Sequence, residues 1–444
     1  MPPQIVELIQ AVNWKALFPT LKLVWSILSI WGWVILALLL WKLFKHFWLW
    51  WRVEGWINRQ KMILLEIKIP KEVLKPIRAM EVVVTGLWQT LYAPPNWKEK
   101  WIDGQVLLSY AFEIVSLGGE PHFYIRTVDR MKDIIEANIY SQYPEAEVSI
   151  ADDYTKYVPQ DIPNKDWDMW AADYKFTKEN PYPIWTYKNF ETESEAMEEK
   201  RIDPIAGLLE SMAKIKPGEQ LWIQILACPL SQEYVKPYLD EVKVLRDKLA
   251  KRPASAKSRP MVEEAFEFFA FGKGPEEEQK KEELFPPEMR LTPGEKDIIT
   301  AVEEKAAKPS FKVTARFIYL GKRDVFFKPN FRLGFNFFAY FTTQNCNSLV
   351  PFGNTLTKIK QDWYNWFWFV NRRLYLRKRK IFRNYRERVN PYFPKDEKWP
   401  TAFILNTEEV TSLFHFPSSI VAPTPTMSRV ESRRGGPPSE LPVE

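Results

Sequence analysis

Cysteine is almost missing from the chain. Two residues, Cys228 and Cys346, in 444 exclude a disulfide-stapled scaffold and an all-cysteine metal cage. Histidine is equally scarce, and His46, His122 and His415 lie too far apart in sequence to suggest a metal or proton-transfer motif. Glycine is low, 16 residues against 35 prolines, which excludes collagen repeats and Gly-rich flexible linkers. The phosphate-binding loops that need glycine are missing too. Gly272-Lys273 and Gly321-Lys322 lack the spaced upstream glycine and the Ser/Thr of a P-loop. No GxGxxG, HExxH, CxxC or GxSxG pattern occurs. The reading is therefore a protein that is not an enzyme, with no catalytic residue, no cofactor and no metal.

Apolar and aromatic residues are abundant. Hydrophobic residues make up 46% and charged residues 27%, so most of the chain is expected to fold. The net charge of +6 suits a polyanionic or membrane-surface partner and proves neither. Leu23 to Trp41 is a run of 19 residues without a charge, about the length that crosses a hydrocarbon core. Nine of the 20 tryptophans lie within the first 56 residues, as in interfacial aromatic belts. The expectation is a single-pass inner-membrane protein with a span over 23–44 and an interfacial segment over 45–59. Leu23, Trp25, Trp31, Trp33, Leu38, Trp41, Trp48, Trp50 and Trp51 are its lipid contacts. Lys42, Lys45, Arg52, Arg59 and Lys61 after the run put the N-terminus outside and the bulk of the chain in the cytoplasm.

The remainder reads as α+β: a transmembrane helix followed by two ferredoxin-like (split βαβ) units. Alternation at Ile63–Ile69, a helical stripe from Ile77 to Leu91, paired strands around Gly118-Gly119, a stripe at Val128–Ile139 and a last strand at 147–151 give β-α-β-β-α-β over 60–151. Residues 152–180 read as a linker. The second unit, 181–420, opens with a strand at Ile184–Phe190. A helix follows, capped by Asp203 with Pro204 in its first turn. Leu221–Ile225 and Phe311–Leu320 read as strands and Gln232–Leu249 as an amphipathic helix. A long charged insertion interrupts the unit at 251–297. Eight aromatics in sixteen residues from Phe326 to Phe341 suggest a packing helix. Residues 421–444 read as an extended Pro-rich tail.

Two charged stretches are candidates for chemistry. Asp152, Asp153, Asp161, Asp166, Asp168 and Asp173 form an acidic group, read as a solvated connector because no helical or alternating pattern unites it. Trp363 to Arg388 carries nine positive charges in its last seventeen residues. Arg372, Arg373, Arg377, Lys378, Arg379, Lys380 and Arg383 are its candidate contacts. They suit acidic lipid, nucleic-acid backbone, or a solvated face paired with the acidic insertion near Glu276.

Three stretches carry a family likeness: Phe112 to Val148, Lys312 to Phe326, and Ile404 to Pro442. In them the chain resembles the membrane-anchored N-terminal region of HerA/FtsK-like conjugation ATPases, of the type IV secretion class, as found in small-genome bacteria. The family's P-loop is absent, so ATPase activity does not carry over. The resemblance implies a non-catalytic membrane platform of a transfer machine that docks a separately encoded P-loop ATPase. It implies possible DNA contact through that motor, and a homo-oligomer if the motor is hexameric. Glu408, Leu413, Phe414, His415, Phe416, Arg433 and Arg434 would be the docking residues. The alternative is a membrane-tethered module for acidic lipid or nucleic acid, unrelated to secretion.

Overall fold

The computed structural model describes residues 14–70, 75–190, 203–250, 291–359, 369–389 and 400–417. Contacts divide it into two compact units, Met1–Gln60 with Pro95–Val106, and Lys61–Pro94 with Leu107–Glu444. The tail with Arg433 and Arg434, the acidic centre of the insertion and the Trp363–Trp368 cluster lie outside the described residues.

In the first unit, helix α1 runs without a break over Trp14–Ile57. The segment 95–106 folds back on it. Trp48 Nε1 donates to the Trp101 carbonyl at 2.8 Å, Arg52 Nε donates to the Ile102 carbonyl, and Lys45 stands 4.9 Å above the Trp101 ring. Gly104, at φ 75°, allows this approach, because a Cβ there would lie 2.4 Å from the Arg52 carbonyl oxygen.

This helix overturns the membrane expectation. The span and the interfacial segment are parts of one helix, and among the described residues no helix is long and apolar enough to cross a membrane. The physical reason lies in the composition of the apolar run. Trp25, Trp31, Trp33 and Trp41 each carry an indole N–H, and Ser26 and Ser29 add hydroxyls, so the run is aromatic more than it is aliphatic. Leu23, Trp25, Trp41, Trp48, Trp50 and Trp51 are exposed side chains on this helix. The side chains of Trp31, Trp33 and Leu38 lie outside the described set. The inner-membrane location loses its basis.

The second unit is built on one sheet. Its strands are β1 (Met62–Lys68), β2 (Tyr110–Leu117), β3 (Glu120–Val128), β4 (Glu147–Ala151), β5 (Trp167–Phe176), β6 (Glu219–Pro229), β7 (Ser310–Lys322), β8 (Leu349–Pro351) and β9 (Phe403–Asn406). They lie in the order β4-β1-β3-β2-β6-β7-β5-β8, with β9 also on β7. Every pair is antiparallel. The helices are α2 (Ile77–Leu91), α3 (Lys132–Gln142), α4 (Pro204–Ala213), α5 (Gln232–Leu249), α6 (Pro293–Ala307), α7 (Val370–Arg386) and α8 (Thr407–Leu413).

Two separate ferredoxin-like units are therefore not what the chain forms. β2 continues into β6 through eight paired residues from Tyr110↔Ala227 to Leu117↔Gln220. β6 then pairs with β7 along its whole length. The reason is burial on both faces. β2, β6 and β7 are buried almost end to end, and such strands must be flanked and covered. Phe112, Phe123 and Tyr143 pack against Phe414 and Phe416 just after α8. On the other face Val115, Tyr154, Trp222 and Ile318 meet Ile381, Phe382 and Tyr385 of α7.

Other elements also differ from expectation. Residues 152–180 contain β5, an inner strand of the sheet. The strand expected at 184–190 is a loop ending in a short helical turn, Tyr187–Phe190. The aromatic stretch 328–341 is a chain of short helical turns and no single helix. Within it Gly334 touches the sheet: an added Cβ would stand 2.5 Å from Phe317 Cε2 and 2.7 Å from Leu221 Cδ2. Gly334→Ala should therefore cost about 1–3 kcal/mol by overpacking. Denaturant titration checks this through a lower midpoint with an unchanged slope.

Candidate functional site

Helix α7 is amphipathic, and its two faces treat their cations differently. The inner face carries Ile381, Phe382 and Tyr385, all buried. Tyr385 and Phe382 pack on Trp222, with ring centroids 5.3 and 6.3 Å away. At the margin of this face Lys378 Nζ pairs with Asp168 at 2.6 Å. Arg377 donates to the carbonyls of Gly353 and Leu356 at 3.0 and 2.8 Å. These two candidates hold the helix in place. Arg372, Arg373, Arg379, Lys380 and Arg383 are exposed. Arg379 donates to the Tyr375 hydroxyl at 2.7 Å and its guanidinium lies over that ring. Among the described residues no carboxylate pairs with Arg372, Arg373, Arg379 or Arg383. A cleft of about 490 Å³ opens beside the helix, lined by Leu376, Arg379, Lys380, Arg383 and Arg386 together with Gln160 and Glu387. Arg386 was not among the expected contacts.

A polar row across the sheet roots this helix. Glu113 stands opposite Gln224, Gln224 opposite Arg316, and Arg316 opposite Asp173. All four are buried. Charges so placed persist only when fully partnered. Arg388, just past the end of α7, forks onto Glu113 with Nε–Oε1 at 2.9 Å and Nη2–Oε2 at 3.1 Å. Its Nη1 and Nη2 also reach Asp153. Burial opposes its charge, but Glu113 and Asp153 hold the guanidinium well above its ordinary range. Asp153, also opposed by burial, is held below the usual carboxylate range by Arg388. Tyr154 donates to Glu113 at 2.8 Å and shares a 2.9 Å bond with the Tyr385 hydroxyl. Burial keeps both phenols neutral. Arg316 pairs with Asp173 at 3.1 Å and donates to the carbonyls of Asn384 and Val389. The sheet thus holds the C-terminal end of α7 by its backbone. Arg388 sits at φ 48°, a left-handed conformation costing roughly 1–2 kcal/mol that this fork outweighs.

The acidic group does not converge. Asp153 serves Arg388, Asp168 serves Lys378 and Arg323, and Asp173 serves Arg316. Asp161 accepts from Asn164 and Asp152 from Tyr157. Among the described residues no group of three His, Cys, Asp or Glu side chains is placed to hold a metal ion.

The expected docking residues point inward. Leu413, Phe414 and Phe416 are core side chains. Glu408 accepts from Thr186 and pairs with Lys308 and Lys188 at 2.8 and 2.9 Å. His415 sets Nε2 3.0 Å from Asp203, which also caps α4. Beside them Lys305 and Glu409, both fully buried, pair at 3.2 Å, and burial lowers the Lys305 pKa. A second cleft, about 660 Å³, runs past Lys188, Asn189, Lys305, Cys346 and Glu408. A partner that docks on this protein must use other surfaces than α8.

Against known proteins, the chain matches no family model and no curated sequence. With the membrane span overturned as well, nothing supports assigning the chain to secretion or conjugation.

Proposed function

We propose that the protein is a non-catalytic nucleic-acid-binding scaffold whose contact surface is the outward face of α7. The observation that carries this reading is the sorting of charge on one helix. Arg377 and Lys378 turn to internal acceptors, while Arg372, Arg373, Arg379, Lys380 and Arg383 present positive charge to solvent. A merely solvated face ordinarily mixes both signs. α7 itself carries no acid, Glu387 standing just past its end, and a helix face of positive charge on a rigid element attracts a polyanion. Tyr375 and Leu376, both exposed, supply flat and apolar surface between the cations, as sequence-tolerant contact with unstacked bases requires. Cations that meet phosphates carry little sequence information, so the binding is expected to be general.

Salt dependence tests it. Binding of short labelled oligonucleotides is measured by fluorescence anisotropy across a salt series. Five phosphate contacts should give a slope of log affinity against log salt of about −3.5 for single strands and about −4.5 for duplex. Affinity that ignores salt, or no affinity at low salt, overturns the proposal.

A further inference from the structure

The far side of α1 carries an unclaimed apolar seam. Leu36, Leu40, Leu43, Phe47 and Trp50 recur at intervals of four, three, four and three residues. At 100° per residue these five fall within about 80° of one another around the helix. Each is close to half exposed, from 46% at Trp50 to 56% at Phe47. Leu49 and Val53, the buried positions of this stretch, point the other way. So do Lys45 and Arg52, which take the folded-back segment at Trp101 and Ile102. That segment therefore covers the side opposite the seam.

We propose that the seam is an interface between two copies of this chain, paired through α1 as a short coiled coil. Three observations favour a second copy as the occupant. The four-three spacing is the period at which a straight helix supercoils about a like helix and interlocks its side chains. Between Leu36 and Trp50 the charges, Lys42 and Lys45, both lie off the seam, so two copies approach along it without like-charge repulsion. The residues that flank it are His46, Phe44 and Trp51. Finally, five large side chains near half exposure offer on the order of 500 Å² per copy, which brings a pair near the roughly 1,000 Å² at which specific interfaces begin. Along the neighbouring face Trp41, Phe44 and Trp48 stack in turn and Trp51 meets Trp48 edge-on, which stiffens the helix that presents the seam.

Cross-linking of the full-length chain tests the pairing. Leu43 is the middle of the five, so it meets its own copy whether the helices run parallel or antiparallel. Leu43→Cys should give a covalent dimer with a short bis-maleimide at micromolar concentration. Lys42→Cys, about 100° round the helix and off the seam, and the parent chain with Cys228 and Cys346 in place should not. In sedimentation velocity the parent should run as a dimer, and Leu40→Glu with Leu43→Glu should weaken self-association at least 100-fold. Three results each overturn the proposal: a monomeric parent, equal cross-linking at positions 42 and 43, or a monomer that floats with neutral phosphatidylcholine vesicles.

Discussion

Replacing Arg388 by methionine should lower the stability of the second unit by about 3–5 kcal/mol, the usual cost of leaving a buried charge without its partner. The charge left behind is Glu113, fully buried. Gln224 and the Tyr154 hydroxyl would still donate to it, but no cation would remain in contact. Asp153 would lose its two bonds from Arg388 as well. For a unit of this size the loss corresponds to a drop in melting temperature on the order of 10 °C. Calorimetry of Arg388→Met checks it. Glu113→Gln combined with Arg388→Met removes both charges and should recover a large part of the loss, because a neutral amide can keep the bond from Tyr154. A double variant no more stable than Arg388→Met alone would show that the fork matters through shape, not charge.

Reversing three outward cations of α7 should abolish most nucleic-acid affinity without touching the fold. Arg379→Glu, Lys380→Glu and Arg383→Glu together move the net charge from +6 to 0. At roughly 0.5–0.7 kcal/mol per unit of charge beside a phosphate backbone, six units amount to about 3–4 kcal/mol, or a 100- to 1,000-fold loss. A control of equal charge is at hand on α5: Lys236→Glu, Lys243→Glu and Lys248→Glu are also exposed reversals. They should weaken binding by less than about tenfold, through the long-range field alone. Anisotropy measured on both triple variants at one salt concentration decides the matter. Equal losses would assign the affinity to net charge and not to α7.

Local patterns were legible wherever the chain buries one side of an element. The alternation at Ile63–Ile69 gave β1, and the stripe from Ile77 to Leu91 gave α2. The cap at Asp203 was legible for a local reason, since its carboxylate accepts from Ile205 two residues on. The basic stretch was legible as a candidate surface. Which of its cations turn inward was not, because that depends on carbonyls at Gly353 and Leu356 and on Asp168. β5 was hidden for a related reason. Asp168 and Asp173 made its sequence look solvated, yet both carboxylates neutralise cations far along the chain. The polar row was the least legible feature. Glu113 reads as an ordinary outward residue of a strand, and its partner Arg388 lies 275 residues away. The continuous sheet was missed by the same limitation, since single-strand periodicity says nothing about which strand lies beside which. The membrane expectation failed because a charge-free length was weighed more heavily than the polar ends of its tryptophans.

The placement of β9 and α8 has a consequence for how the protein comes into being. Phe414 and Phe416 fill the space over Phe112 and Phe123, three hundred residues earlier in the order of synthesis. A nascent chain that has left the ribosome only as far as β7 has most of the sheet at hand, but neither α7 nor the segment of α8, which complete the cover of its two faces, has been made. The final closure must wait for residues near 416 to emerge from the ribosome. Until then the aromatic surface of β2 and β3 is open to chaperones and to proteases. Interrupted translation products should accordingly be degraded and should not accumulate as folded fragments.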